Sequence, residues 1–193
     1  MGLTIATPRL VLQEITGDDF SILHAWRNES RFTTYCSTRR NQVSAEDFRR
    51  ELASDFNRDR CLQCMILHRG IAIGTIYAYG MNHTDRYAFV TTYLTASAEH
   101  RGYGAEAFVF FVEYLFEQLD LYKIYSEVYE YNTHSLSCLR NAGLFSEEGR
   151  FKGHRKIGNQ RYDLIRFACF RVDLPRIIAW TERAQRHRQN LRA

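Results

Sequence analysis

The sequence predicts a mixed α/β (α+β) chain, in which helices interleave with one twisted, mostly antiparallel sheet. Three observations predict it. Short runs of period-two hydrophobicity recur, such as Ile124-Tyr125-Ser126-Glu127-Val128, and each reads as a strand. Between them lie runs with helical apolar faces. The broadest is Phe108, Phe111, Val112, Leu115, Phe116 and Leu119. Where the strand-like run 87–94 leads into that helical run, the chain carries Gly102-Tyr103-Gly104. Glycine lets a ligand come close to the main chain, and the unpaired amides of a first helical turn suit an anion such as phosphate. A plain tight turn accounts for the same two glycines, and at this level both readings stand.

The elements follow in order. Residues 9–14 alternate as a first strand, and Thr16-Gly17-Asp18-Asp19 offers an N-cap for a helix carrying Phe20, Leu23, His24 and Trp26. Residues 29–43 are polar and irregular and read as a long loop. Ser44-Ala45-Glu46-Asp47 fits a capping box before the helical face Phe48, Leu52, Phe56. Residues 61–68 and 71–79 form a hairpin about Arg69-Gly70, and 86–94 is the next strand after a turn at 80–85. A helix spans 105–119 and a strand 122–131. Asn132 to Ser135 caps a short helix that Gly143 ends. Strand character at 144–145 and 151–156, a turn at 157–160, a strand at 161–172 and a helix at 175–191 complete the chain.

At 193 residues the chain is expected to be one domain, residues 1–175, with a basic helix or tail at 176–193. A net charge of +4 does not call for nucleic acid, and Arg183, Arg186, Arg188 and Arg192 place part of it in the tail. No apolar run approaches the ~20 residues that span a bilayer, and Met1 to Ala6 lack the features of a signal peptide. Five cysteines, an odd number, suit a reduced cytoplasmic protein. Cys61-x-x-Cys64 falls in a strand, where residues three apart face opposite ways, so neither a redox pair nor a metal site is expected.

The stretch 88–149 resembles the GCN5-related N-acetyltransferases (GNAT), and is most similar to their ribosomal-protein and polyamine acetyltransferase branch. Gly102 and Gly104 occupy the two glycine positions of the R/Q-x-x-G-x-G/A motif, and Glu106-Ala107 matches its continuation. Val128 and Asn132 match the strand end, Ser135 stands three residues on, and Gly143-Leu144-Phe145 eleven on. Thr7-Pro8-Arg9-Leu10 and Ala25-Trp26-Arg27-Asn28 resemble the usual first strand and helix, so the likeness covers about residues 6–173. Three positions depart from the pattern. Glu99 replaces the Arg or Gln that opens the loop, Phe89 stands where a Glu often deprotonates the amine, and Leu139 where a Tyr sometimes donates a proton.

The resemblance implies a sheet of about seven strands flanked by helices, with strands splayed at a cofactor cleft. It implies an acyltransferase using acetyl-CoA. Leu94, Thr95, Glu99, His100, Arg101, Gly102, Tyr103, Gly104, Ala105, Asn132 and Ser135 would bind that cofactor. Ser135, Tyr93 and Glu130 are the catalytic candidates, Ser135 as thiolate contact or proton donor. The acceptor surface would come from the segment after the first helix and from the last hairpin, with Phe32, Tyr35, Phe89, Tyr93 and His154 facing it. Arg, Lys and aromatic residues crowd both segments, which suits an acceptor with a negative or hydrogen-bonding part better than a polyamine. The expected partner is a small-molecule amine, with no nucleic acid and no membrane, and with a homodimer left open. A protein α-amino acceptor and a non-catalytic acyl-CoA-binding module are the rival readings.

Overall fold

Alternating hydrophobicity and glycine turns build a sheet whose strand order is β1-β2-β3-β4-β5-β6-β8-β7. The computed structural model describes residues 2–37, 41–56 and 60–190, with the backbone alone at 55–56 and 187–190. The strands are β1 (Thr4–Ala6), β2 (Val11–Glu14), β3 (Cys61–His68), β4 (Ile71–Asn82), β5 (Tyr87–Leu94), β6 (Lys123–Tyr129), β7 (Ser146–Ile157) and β8 (Gln160–Phe170). The helices are α1 (Phe20–Arg27), α2 (Ser30–Tyr35), α3 (Ala45–Phe56), α4 (Tyr103–Gln118), α5 (Thr133–Ala142) and α6 (Leu174–Asn190). The β1–β2, β2–β3, β3–β4, β6–β8 and β7–β8 ladders are antiparallel, and β5–β6 is parallel.

The sheet therefore has eight strands rather than about seven. The added strand is β1, whose three residues pair with β2 and are too few to show a period. A second departure is α2, inside the stretch expected to be irregular. Thr33 and Thr34 are poor helix formers, yet their hydroxyls donate back to Ser30 O at 2.9 and 2.7 Å. Phe32 packs this turn against a buried apolar cluster. Helix α4 begins at Tyr103, two residues before the expected start, and β7 is continuous from Ser146. Parts of the sequence reading lie outside the described side chains: Phe56, residues 38–40 of the segment after the first helix, and the tail residues Arg188 and Arg192.

The chain divides into two compact units, residues 1–81 with 91–108, and residues 82–90 with 109–193. In the first, Leu23, Trp26, Phe48, Met65 and Tyr93 form the buried cluster. The β3–β4 hairpin turns through Arg69 (φ 52°) and Gly70 (φ 78°), two left-handed residues as a tight hairpin requires. Cys64 is fully buried, and that burial, helped by the Glu14 charge, pushes its thiol up to about 12. Cys61 is only half-buried and both are free thiols.

In the second unit, Val128, Leu136, Ile165 and Phe167 form a cluster with Leu139 and Phe145. Arg171 closes the C-terminus of α4, donating from Nη1 to Phe116 O at 2.6 Å and Leu119 O at 3.3 Å. Asn132 caps α5, accepting from Ser135 N at 3.2 Å, and Gly143 (φ 65°) ends it. The register of β7–β8 slips between Phe151 and Arg155. Asp163 holds that bulge by accepting from Gly153 N at 2.8 Å and from Arg150 Nη1 at 3.1 Å. Those two donors keep its carboxyl below the usual range.

Gly74 on β4 shows how closely the strands of the first unit approach. A Cβ there would fall 2.1 Å from Tyr93 O and 2.9 Å from Leu94 Cδ2. The obstruction is backbone, so no rotamer change relieves it. Gly74→Ala is expected to cost about 2–3 kcal/mol of stability, measured as a lower urea midpoint with unchanged slope.

Candidate active site

The segment 99–107 joins β5 to α4. Its backbone turns through His100 (φ 56°) and Gly102 (φ 75°), and Glu106 N donates to Gly102 O at 3.1 Å as the first bond of the helix. The amides from Gly102 to Ala105 lie ahead of that bond, where α-helical geometry supplies no acceptor. With the positive end of the α4 dipole behind them they suit an anion.

Two carboxylates sit in this segment, and each is met by an arginine from elsewhere in the first unit. Glu106 is 4% exposed. Its Oε1 accepts from Thr7 Oγ1 at 2.6 Å and Arg9 N at 2.7 Å, and its Oε2 from Arg9 Nε at 2.5 Å. The same guanidinium donates to Arg101 O at 2.8 Å and lies 4.7 Å from the Tyr103 ring centre. His68 completes this corner, bonding Arg9 O through Nδ1 at 3.1 Å and the Tyr103 hydroxyl through Nε2 at 3.2 Å. Glu99 forms an ion pair with Arg31 of α2. The Glu99 carboxylate is thus paired with a guanidinium that sequence alone does not bring near it. With both acids covered, the amide array and the dipole set the local field, and the donor set fits a pyrophosphate.

The predicted residues of the first unit come together around this segment. Leu94 Cδ1 stands 3.4 Å from where a Gly104 Cβ would be. Thr95 donates to Ile73 O from N at 2.9 Å and from Oγ1 at 3.2 Å, which fixes the end of β5. Phe32 and Tyr93 have ring centres 5.3 Å apart. Tyr35 is exposed, with the Arg31 guanidinium 5.5 Å from its ring centre. The Tyr93 hydroxyl donates to Glu29 Oε2 at 2.6 Å. Burial first, and then that carboxylate, push the phenol above its ordinary range, so Tyr93 keeps its proton.

The second unit holds Phe89, Glu130, Asn132, Ser135 and His154. Phe89 stacks on Tyr125 at 5.1 Å, and the Arg166 guanidinium lies 5.2 Å from both ring centres and 5.0 Å from that of Phe151. Glu127 Oε1 accepts from Arg166 Nε at 2.9 Å and Nη2 at 2.6 Å. Phe89 therefore belongs to an aromatic and cationic stack on β5, β6, β7 and β8. Glu130 donates its amide to Asp163 O at 3.0 Å, and its carboxylate is 3.8 Å from Arg150. The capping bond uses the Ser135 amide rather than its hydroxyl. His154 is exposed, edge-on to Phe151 at 6.0 Å.

Sequence reasoning missed the Arg9–Glu106 and Arg31–Glu99 pairs and the bond to Glu29. Arg9 and Glu106 are 97 residues apart, beyond the reach of any local pattern. The one available signal was the position of Arg9 in Thr7-Pro8-Arg9-Leu10. Among the described residues, no group of three or more His, Cys, Asp or Glu could hold a metal ion, and no helix is long and apolar enough to cross a membrane.

The model of the acetyltransferase (GNAT) domain matches residues 9–144, and the chain belongs to that family. It is an acyltransferase by that membership. No curated protein matches it in sequence. Among solved structures, the spermidine N-acetyltransferase from Vibrio cholerae in complex with CoA and spermine superposes with a TM-score of 0.79 at 18% identity, covering 86% of this chain and 98% of that one. RimL, the ribosomal L7/L12 alpha-N-protein acetyltransferase in complex with CoA, gives 0.76 at 14% identity, with 87% and 98% covered. At these identities the likeness is one of fold.

Removing the Glu106 carboxylate would take away the acceptor shared by the Thr7 hydroxyl, the Arg9 amide and the Arg9 guanidinium. Glu106→Ala is expected to cost about 2–3 kcal/mol, measured by urea unfolding. Arg9→Ala should also lower stability, because it leaves the buried Glu106 carboxylate without its counter-charge.

Proposed function

We propose that this acetyltransferase acts on a primary amine of a small molecule, such as an amino sugar, antibiotic or metabolite, by direct attack. Acetyl-CoA supplies the acyl group as a thioester. The observation that carries the reading is the 99–107 segment, where both carboxylates are covered by arginines and the first amides of α4 are left to an anion. Those amides would hold the pyrophosphate, with Leu94 presenting the strand end for backbone pairing to the pantetheine arm and Thr95, bonded to Ile73 and Ala98, fixing that end. Asn132 would orient the start of α5, and Ser135 would offer its hydroxyl as proton donor to the departing sulfur.

The nature of the acceptor is read from Arg166 and its stack. At Phe89, where related enzymes often present a carboxylate, this chain presents a ring beneath a guanidinium. A polycation gains nothing from such a surface, whereas an acceptor with a flat, apolar or anionic part does. Phe32, Tyr35 and His154 remain the proposed residues for further acceptor contacts.

Calorimetry with CoA and acetyl-CoA, followed by thiol release across a panel of amino sugars, aminoglycosides, polyamines and N-terminal peptides, tests the proposal. Turnover is expected on a small non-polyamine amine. Turnover confined to peptides would favour the protein α-amino reading, and binding without turnover the non-catalytic one. Gly104→Val, which sets a branched side chain among the loop amides, should weaken CoA binding about 10–100-fold, the equivalent of one or two charge-assisted hydrogen bonds. Unchanged affinity would remove the loop from the cofactor site.

A further inference from the structure

Segment 29–36 is strapped over the end of β5 and the start of the loop by contacts along its whole length. Glu29 accepts from the Tyr93 hydroxyl at 2.6 Å, and Arg31 pairs with Glu99. The Phe32 ring packs on Tyr93 at 5.3 Å. Cys36 Sγ donates to Thr92 O at 3.8 Å, and Tyr77 donates from its hydroxyl to Cys36 O at 3.5 Å. All of these residues belong to the first unit.

We infer that Glu29 is the general base of the acetyl transfer and that Tyr93 is its positioning residue. The assignment rests on the acetyltransferase reading above and supplies the group it lacked. A base has to be a carboxylate, imidazole or similar group held beside the acceptor end of the thioester. Glu29 is a carboxylate at an exposed position, tied through Tyr93 to the end of β5, one residue before Leu94. Two residues along, Arg31 ties the same segment to Glu99 of the pyrophosphate loop. The side chain is thereby registered against both parts of the chain that would hold the cofactor.

The chemistry of the pair suits proton abstraction. Tyr93 is 2% exposed, and its ring is fixed by Trp26 at 5.7 Å and by Phe32. Its hydroxyl stays protonated and gives the carboxylate one fixed hydrogen bond. An ionised carboxylate has about four lone-pair sites, so one bond leaves capacity for an ammonium. The incoming amine, mostly protonated at neutral pH, would give one proton to Glu29 and become the free nucleophile. Overall, one C–N bond forms and one C–S bond breaks. The thiol product keeps the second proton lost by nitrogen, and Glu29 returns the first to water. The ionisable groups around the pair are Arg31, Glu99, Cys36 and, over the Phe32 ring, Arg27.

The test uses the full-length protein, acetyl-CoA and the best amine from the panel. Glu29→Gln keeps the shape and can still accept the Tyr93 hydroxyl. It should leave CoA affinity within about 2-fold, lower kcat by about 100–1,000-fold and flatten the acid limb of the kcat–pH profile. Tyr93→Phe keeps the ring packing, and should lower kcat about 10-fold while leaving KM for acetyl-CoA unchanged. A Glu29→Gln enzyme within about 3-fold of the parent kcat, or one that loses kcat but keeps the acid limb, overturns the assignment. If Glu29→Gln does not fold, an unchanged kcat in Tyr93→Phe overturns it. A parent protein that neither binds acetyl-CoA nor acetylates any amine removes the underlying reading instead, which separates the two failures.

Discussion

The first unit depends on the carboxylate of Glu106. It is nearly inaccessible to solvent, and it draws the Thr7 hydroxyl and both the backbone and the side chain of Arg9 onto the first turn of α4. A buried charge without donors would be costly, so the segment before β2 has to dock where it does. An acid in the first turn also complements the helix dipole. Its negative charge is cancelled by Arg9, so the same helix end stays receptive to an anionic ligand. One side chain thereby fastens the N-terminal segment and conditions the loop.

The second pair, Arg31 with Glu99, works by the same logic at the other end of the loop. It has a further effect, because Arg31 belongs to α2. The helix that carries Phe32 and Tyr35 is bound to the segment proposed to hold the cofactor. The elements proposed for the acceptor and for the cofactor are joined in this unit by an ion pair and a phenol, not left to the packing of a loop.

Local patterns made much of the fold legible. The Arg69-Gly70 hairpin, the apolar face of α4, the Asn132 cap and the Gly143 stop each depend on residues within a few positions of one another, and each is where the sequence puts it. What local pattern could not show depends on distant partners. Helix α2 has weak intrinsic propensity and is held by Phe32 against a remote cluster. Strand β1 has three residues and is defined by its pairing with β2. Glu29 reads in sequence as one more polar loop residue, and only the arrival of Tyr93 gives it a chemical identity. The comfort of Glu99 was invisible for the same reason. Gly102, by contrast, was legible because its demand is on its own backbone, a left-handed φ of 75°.

Trp26 gives this arrangement an optical consequence. The chain has two tryptophans, and this one is 5% exposed with its ring 5.7 Å from that of Tyr93. Indole emission is sensitive to the polarity and mobility of its surroundings. With Trp180 replaced, the remaining fluorophore would sit one ring away from the Tyr93–Glu29 bond. The molecule thus carries a built-in spectroscopic reporter on the strap, able to register its loosening or tightening without any added label.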